Sequence, residues 1–347
     1  MFKGKRGWVR LGIIYIPLML FLLQACAYDN GANSTASAPT QGQEPTASAS
    51  AQKTEEAATT AAPTTVAETE PIGPIDYEKI FAYDSSKPMN VKELSVTETK
   101  GGGKVHEISY EAYDKDKNLD GEISCYLVEP KGKGPFPAVL YFHWLGRSNS
   151  NKDEFLDEAT AMADKGVASL LINGYFPWRS SPSELEKDKS MVVYQVIELQ
   201  RALDYLVSRP NVDPKRIAYV GHDYGSMYGA LLSGIDKRIG SYVFVAGMGD
   251  FSAWFLQYWV SLNGDERQNY INEMRELDPV NYVKNAAPAK LFFQFANNDR
   301  FISQDVADAF YKAASDPKEE KTYDAQHEME SEQARQDRQQ WLLDNLK

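Results

Sequence analysis

The sequence contains little cysteine, little histidine and no excess of positive charge. Its 347 residues include 2 Cys and 4 His, and 37 Lys and Arg stand against 49 Asp and Glu, which gives a formal net charge of -12. Two cysteines far apart in the chain exclude a disulfide-rich scaffold and a four-cysteine metal site. Without a basic surface to neutralise phosphates, a nucleic-acid partner is not expected.

The N-terminal residues 1–25 are typical of a secretory signal. Four basic residues lie within 1–10, and an uncharged apolar run follows over 11–25. At 1.5 Å per residue that run spans ~22 Å, which is short of the ~30 Å hydrocarbon core of a membrane. It ends in Leu-Gln-Ala-Cys26, which resembles the lipobox of bacterial lipoproteins. The resemblance implies cleavage before Cys26, lipidation of Cys26, and a lipid anchor in the cell membrane with the protein on its extracytoplasmic face. The alternative is an uncleaved anchor helix.

Residues 26–76 are predicted to form a disordered tether. Of the 41 residues from 31 to 71, 28 are Ala, Ser, Thr or Pro, and no aromatic residue occurs between Tyr28 and Tyr77. Such a segment cannot bury enough apolar surface to offset its chain entropy. Cys125 then has no disulfide partner in the mature chain, and we expect it to be a small buried apolar residue.

Residues 77–347 show the pattern of one α/β domain. Two alternating apolar runs, 105–113 and 122–128, predict a hairpin. After them, strand and helix patterns alternate, which indicates a mostly parallel central sheet with helices on both faces. The further predicted strands lie at 137–143, 167–173, 217–220, 242–246, 291–295 and 321–323, and the clearest predicted helices at 152–165, 186–208 and 328–346.

The most informative motif is Gly221-His-Asp-Tyr-Gly225, which follows a predicted strand and enters a predicted helix. Together with the preceding RPNVDPKRIAYV segment, it resembles dienelactone hydrolases and the prolyl-oligopeptidase group of α/β-hydrolases, over roughly residues 100–347. The resemblance implies an α/β-hydrolase fold in which residue 223 occupies a tight turn and is the nucleophile.

At that position the chain has Asp223 where those groups have Ser or Cys. An Asp in this motif resembles epoxide hydrolases and haloalkane or haloacetate dehalogenases of the same fold. A carboxylate can attack an sp³ carbon and form an ester, which a histidine-activated water then hydrolyses. It is poorly suited to acyl transfer, because the anhydride intermediate would be too reactive to accumulate.

The resemblance also implies an acid and a histidine later in the chain, in that order. Asp299 ends a predicted strand, and His327, 28 residues later, is the only histidine downstream of the motif. These positions imply that His327 is the base that activates water and that Asp299 orients it. Asp250 is the alternative acid, because some dehalogenase-like members carry it after the preceding strand.

An oxyanion hole is expected from two backbone N–H groups. One is that of Tyr224, directly after the nucleophile, and the other is that of Trp144, in the loop after the strand at 137–143. The Trp144 indole is a second possible donor, to a leaving group. Ser226 is expected to lie one helical turn away from the apex and to be a poor substitute nucleophile.

The residues from about 250 to 285 are predicted to form a small helical lid. Five aromatic residues lie between 250 and 262, and Trp254, Tyr258 and Leu262 share one helical face. A helix that covers the core is the alternative. Tyr258 is a candidate contact for a small-molecule substrate, as are Tyr175 and Trp178, which follow a predicted strand.

No HExxH motif, Cys/His cluster or GxGxxG motif occurs in the sequence, so no metal or organic cofactor is implied. Three functions stay open. The motif favours hydrolysis of an epoxide or an alkyl halide through Asp223. The segment before it favours an ester hydrolase similar to dienelactone hydrolases. The third is a catalytically inactive surface protein of this fold that binds a ligand.

Overall fold

A computed structural model of the chain describes residues 73–118, 120–146, 151–176 and 184–347. The predicted signal, most of the predicted tether, Cys26 and Trp178 lie outside the described residues. Within these ranges, no helix combines the length and the apolar character needed to cross a membrane.

The described residues form nine β-strands and nine α-helices. The strands are β1 (Lys92–Glu98), β2 (Lys104–Glu111), β3 (Glu122–Glu129), β4 (Phe136–Phe142), β5 (Ala168–Ile172), β6 (Val212–His222), β7 (Ser241–Val245), β8 (Lys290–Ala296) and β9 (Lys318–Tyr323). The helices are α1 (Tyr77–Ile80), α2 (Leu156–Ala163), α3 (Leu185–Ser208), α4 (Tyr224–Ile235), α5 (Phe251–Tyr258), α6 (Gly264–Met274), α7 (Val280–Val283), α8 (Gln304–Ala313) and α9 (Glu332–Asn345).

All nine strands join one sheet in the order β1-β2-β3-β5-β4-β6-β7-β8-β9. The pairs from β1 to β5 are antiparallel, and every pair from β5 to β9 is parallel. Alternate residues of a strand point to opposite faces. In β4, Leu140 and Phe142 accordingly join the core on the α3 and α4 side, whereas Val139 and Tyr141 join the core with α2 and α9. Both faces of the sheet are therefore covered, as the sequence predicts.

The structure differs from the sequence-based expectation at one strand, β1, and at the end of helix α5. The sequence did not predict β1, because all seven of its residues are exposed and it lacks a buried face. Helix α5 ends at Tyr258, where Trp259 and Val260 both donate backbone hydrogen bonds to the Phe255 carbonyl. Leu262 therefore does not continue the predicted helical face.

Cys125 is fully buried, as expected, and burial raises the pKa of its thiol.

The parallel strands place the functional candidates together. Parallel strands end at the same edge of a sheet, and ligands of open α/β sheets bind at that edge. Residues 143–145, 223, 299 and 327 follow β4, β6, β8 and β9. Segments far apart in sequence thus meet at one end of the sheet.

Candidate active site

Asp223 occupies the apex of the turn between β6 and α4. Its φ is +53°, an unusual value for a residue other than glycine, and such strain is often found at functional sites. The turn is so tight that a Cβ on Gly225 would lie 2.3 Å from the Phe142 carbonyl oxygen, and one on Gly221 would lie 2.2 Å from the Gly225 carbonyl oxygen. Both glycines of the motif are therefore required by close approach of the backbone.

The two oxygens of the Asp223 carboxylate have different surroundings. Oδ2 accepts a hydrogen bond of 3.2 Å from the Leu145 backbone N–H. Oδ1 is buried, makes no hydrogen bond within the described residues, and lies 3.7 Å from Nε2 of His327. The whole residue is 2% exposed. One oxygen is thus held by a backbone donor, while the other faces the histidine.

His327 is held between two carboxylates. Its Nδ1 lies 2.8 Å from Oδ2 of Asp299, on the side opposite Asp223. Burial alone lowers the pKa of a histidine, but the interactions with the two carboxylates, Asp223 and Asp299, outweigh it and raise the pKa of His327 to about 9. The structure therefore brings together the three side chains that the sequence predicts as a catalytic set.

Asp299, rather than Asp250, is the acid next to the histidine. Oδ1 of Asp299 accepts backbone N–H groups from Phe301 at 2.8 Å and Ile302 at 3.0 Å. Burial opposes ionisation of Asp299, but His327 and these two donors prevail and lower its pKa. Asp250 instead caps α5, where it accepts the Ala253 N–H at 2.7 Å. Asp250, the alternative acid, thus caps a helix, whereas Asp299 is hydrogen-bonded to His327.

In the loop after β4, the backbone N–H that reaches Asp223 is that of Leu145, one residue after the predicted oxyanion donor Trp144. The Trp144 N–H donates to Oε2 of Glu154 at 2.9 Å, whereas the Leu145 N–H reaches Asp223. The direction of each peptide group in a loop depends on backbone dihedrals that no residue type specifies here. The sequence therefore locates the loop, but it carries no signal that distinguishes Leu145 from Trp144.

Tyr224, the other predicted donor, is the first residue of α4, so its N–H points toward the N-terminal end of that helix. Its phenol oxygen accepts the Trp259 indole N–H at 2.8 Å. Ser226 lies further along α4 and is fully buried. A Cβ on Gly247 would lie only 2.0 Å from its Oγ, so the hydroxyl packs against the segment after β7.

His143 connects two loops through hydrogen bonds at both of its ring nitrogens. Its Nε2 accepts the Gly174 backbone N–H at 2.8 Å, so the ring carries its hydrogen on Nδ1 and donates it to the Trp144 carbonyl at 2.7 Å. It thereby connects the loop after β5 to the loop after β4. His143 thus contributes to the site by fixing these two loops.

Aromatic rings surround His327. The ring centroids of Trp144, Trp254 and Phe301 lie 5.9, 6.1 and 4.9 Å from its own. Tyr258 packs edge-on against Trp254 and Phe301, and burial raises the pKa of its phenol to about 12, which keeps the hydroxyl protonated as a potential donor. Helix α5 therefore contributes two side chains to the apolar wall of the site.

Of the other two predicted substrate contacts, only Tyr175 belongs to the described residues. Tyr175 lines a cavity of about 290 Å³ together with residues of β2 and β3. The next residue, Phe176, packs on Tyr224 with ring centroids 5.4 Å apart. Trp178 lies outside the described residues. In the part of the chain that the structure describes, no group of three or more His, Cys, Asp or Glu side chains is arranged to hold a metal ion.

Comparison with solved structures identifies the fold. An acetyl xylan esterase from Paenibacillus sp. R4 superposes with a TM-score of 0.61 over 78% of this chain and 93% of its own, at 19% identity. Acetyl xylan esterase 1 from Thermoanaerobacterium sp. gives the same TM-score over 77% and 92%, at 13% identity. The chain has the α/β-hydrolase fold, so the predicted fold class is confirmed.

Comparison with curated sequences finds relatives in hydrolytic enzymes. Esterase EstD of Thermotoga maritima is 26% identical over 224 residues, which cover 60% of this chain and 52% of EstD. YtaP of Bacillus subtilis, a hydrolase by name, is 29% identical over 175 residues, 44% of this chain and 56% of YtaP. The chain thus spans about half the length of these relatives. No protein-family profile matches it.

Proposed function

We propose that the protein is a hydrolase that attacks a small organic substrate with the carboxylate of Asp223, at an sp³ carbon bearing an epoxide oxygen or a halide. The observation that carries the proposal is the unequal environment of the two Asp223 oxygens. Oδ2 is held by the Leu145 N–H, whereas buried Oδ1 faces His327 without a hydrogen bond. An oxygen without a donor keeps its lone pairs available for attack.

In the first step, Oδ1 of Asp223 forms a bond to the substrate carbon. The carbon–halogen bond breaks and halide departs with the electron pair, or the epoxide C–O bond breaks and the ring oxygen takes up a proton. Tyr258 is a candidate donor of that proton, because its phenol stays protonated and packs on the rings around His327. The product is an ester of Asp223.

In the second step, Nε2 of His327 takes a proton from water, and the resulting hydroxide adds to Cγ of Asp223. Negative charge then develops on Oδ2, where the Leu145 N–H already donates. Collapse of the adduct breaks the bond from Cγ to the substrate-bound oxygen. The alcohol leaves with the proton that His327 held. The new carboxyl group of Asp223 then releases its own proton, to the Tyr258 phenolate after epoxide opening or to solvent after halide departure, and the carboxylate is restored.

Ester formation also prepares the base for this second step. The charge of Asp223 is one of the causes that raise the pKa of His327 to about 9 in the free protein. Esterification removes that negative charge. The pKa of His327 therefore falls once the ester forms, so the ring releases its proton to solvent and is neutral when it has to accept a proton from water.

Hydrolysis of ester bonds is the second candidate, favoured by the names of the relatives, which are esterases. In that case His327 would activate water directly against the ester carbonyl of the substrate, without a covalent bond to Asp223. An inactive binding protein is the third candidate.

The test uses a His327→Gln variant, which keeps Asp223 but lacks the base. Incubated with epoxides, alkyl halides and esters, it should accumulate a substrate adduct that intact mass and peptide mapping assign to Asp223. His106→Gln, which changes a histidine on β2 paired with Glu93, should turn over without an adduct. Ester turnover that persists in Asp223→Asn overturns the proposal, and no adduct or turnover across the panel favours the inactive protein.

Oxygen labelling separates the two catalytic candidates directly. A single turnover of the wild-type protein in H₂¹⁸O should place ¹⁸O in the Asp223 carboxylate, because water adds to Cγ and the original oxygen leaves with the alcohol. Direct attack of water on a substrate ester would place the label only in the released acid. That second outcome contradicts the Asp223 mechanism.

We also propose that the protein is lipid-anchored at Cys26 on the extracytoplasmic face of the cell membrane. The support is the Leu-Gln-Ala-Cys26 sequence at the end of an apolar run. A Cys26→Ser variant should appear in the soluble fraction, whereas Cys125→Ala, which changes a buried cysteine, should stay with membranes. Retention of Cys26→Ser in the membrane fraction would contradict the anchor.

A further inference from the structure

A second carboxylate–histidine pair, Glu154 and His222, lies beside the first. Oε1 of Glu154 is 2.6 Å from Nδ1 of His222. Nε2 of His222 is 2.8 Å from the backbone carbonyl oxygen of His327. A carbonyl oxygen only accepts, so His222 donates from Nε2 and holds the main chain of the catalytic base.

The same carboxylate also holds the loop that carries the oxyanion donor. Oε2 of Glu154 accepts the Trp144 N–H at 2.9 Å, and the next N–H in the chain, that of Leu145, reaches Oδ2 of Asp223. The Trp144 ring in turn stacks on His222, with centroids 5.3 Å apart and planes 15° apart. One carboxylate therefore fixes both the donor loop and the base.

Glu154 is suited to this arrangement by its position. It lies in the turn that leads into α2, and its side chain is 20% exposed, while that of His222 is 1% exposed. Burial opposes ionisation of Glu154, but the charge and hydrogen bond of His222 and the Trp144 N–H prevail and lower its pKa. Both carboxylate oxygens are thus available as strong acceptors.

We propose that Glu154 and His222 are positioning residues that align the Leu145 N–H and His327 for hydrolysis of the Asp223 ester. This inference rests on the proposed function. It assigns the pair no contact with substrate. Its role is to hold two separate loops in register with Asp223.

The pair should matter more for the second step than for the first. Ester formation withdraws negative charge from the Asp223 carboxylate, so the hydrogen bond that the Leu145 N–H donates to Oδ2 does not become stronger in this step. Ester hydrolysis concentrates charge on Oδ2 and also needs His327 as a base. Loss of the pair should therefore slow hydrolysis selectively, and the ester should accumulate.

Three variants test this in single-turnover experiments that follow the Asp223 adduct by mass. Glu154→Ala should slow adduct hydrolysis by up to about 100-fold, the scale of losing an oxyanion donor, while adduct formation changes little. Glu154→Gln keeps one acceptor and should be intermediate. Asp157→Ala changes an exposed acid that lines a cavity of about 420 Å³ together with Glu154, and it should behave as wild type. Equal slowing of both steps by Glu154→Ala and Glu154→Gln indicates a general structural role and overturns the inference.

A measurement without substrate keeps this test separate from the proposed function. Amide hydrogen exchange at Trp144 should become faster in Glu154→Ala than in wild type, because its hydrogen-bond acceptor is removed, and should be unchanged in Asp157→Ala. If His327→Gln forms no adduct, the proposed function fails, and exchange alone then decides whether Glu154 holds the loop. Unchanged exchange at Trp144 overturns the positioning role.

Discussion

At the scale of single residues, the surroundings of the two carboxylates beside His327 assign them different tasks. Asp299 accepts two backbone N–H groups on one oxygen and Nδ1 of His327 on the other. Asp223 accepts one N–H on Oδ2 and has no hydrogen bond on Oδ1 within the described residues. A fully bonded carboxylate is a fixed charge, whereas an oxygen without a donor can react. These surroundings support the proposed roles, in which Asp299 orients the histidine and Asp223 attacks.

This assignment predicts the effect of Asp299→Asn. An amide in place of the carboxylate cannot stabilise the imidazolium or fix the hydrogen on Nδ1, so hydrolysis of the Asp223 ester should slow by about 100-fold or more. Formation of the ester should change far less. Rapid-quench mass spectrometry measures both rates.

Asp250→Asn is the control for that variant. Asp250 caps α5 and does not touch His327 in the described geometry, so the two rates should be close to those of wild type, with a stability loss of up to about 1 kcal/mol. If Asp250→Asn slows ester hydrolysis and Asp299→Asn does not, Asp250 is the functional acid.

The resemblance to α/β-hydrolases implied the Asp223, Asp299 and His327 set, because Asp223 and Asp299 follow strands with apolar runs and His327 is the only histidine downstream of the motif. Leu145 could not be predicted, because its role depends on the direction of one peptide group. Glu154 could not be predicted either, because it reaches the site from the turn before α2 with no fixed spacing to the motif. Contacts made across loops leave no periodic signal in the sequence.

At the scale of elements, the close crossing of α4 and the end of β4 creates the site. Gly225 lies where a Cβ would meet the Phe142 carbonyl oxygen at 2.3 Å. Gly225→Ala should therefore push these elements apart, cost about 1–3 kcal/mol of stability, and displace the Leu145 loop from Asp223. Chemical denaturation and the rate of ester hydrolysis measure the two effects.

Gly240→Ala is the matched control, because the nearest atom to a Cβ there, the Ile217 carbonyl oxygen, is 3.9 Å away. Stability and activity should be close to those of wild type. A Gly225→Ala protein that is as stable and as active as Gly240→Ala would show that the close approach is not required.

The sequence left open whether residues after 250 cover the site or the core, and helix α5 contacts both. Phe251 and Phe255 are fully buried in the core, while Trp254 and Tyr258 face His327 and Phe301. The aromatic spacing predicted one shared helical face, but both sides of α5 carry aromatic rings. Composition alone therefore could not tell the core-facing side from the site-facing side.

At the scale of the whole molecule, a buried ion pair connects α9 to α2 and to the sheet. Arg338 donates to both oxygens of Glu158, at 3.0 and 2.5 Å, and to the Gln294 side-chain oxygen at 2.7 Å. Gln294 also donates to the Ala334 carbonyl at 2.8 Å. The segment after β9, which carries His327, continues into α9, so this network supports the site from a distance.

Arg338→Leu should cost about 3–5 kcal/mol of unfolding free energy, because it leaves the Glu158 carboxylate buried without its partner. The double variant Glu158→Leu and Arg338→Leu should recover much of that loss, since no unpaired charge remains. Equilibrium denaturation of the single and double variants provides the comparison. A double variant no more stable than Arg338→Leu would mean that packing of the arginine, rather than its charge, holds α9.

The charge state of His327 links the active site to the stability of the whole protein. Its pKa is about 9 when folded and 6.5 in the reference state, so the folded protein retains a proton that the unfolded chain releases between these values. This contribution is fully present below pH 6.5 and is lost as the pH rises through about 9, which amounts to ~3 kcal/mol. The free energy of unfolding of wild type minus that of His327→Gln should therefore decrease from pH 6.5 to pH 9. Other titrating groups cancel in this difference. A difference that stays constant or increases over that range would mean that the two carboxylates do not raise the pKa of His327 and that its ring is neutral in the folded protein.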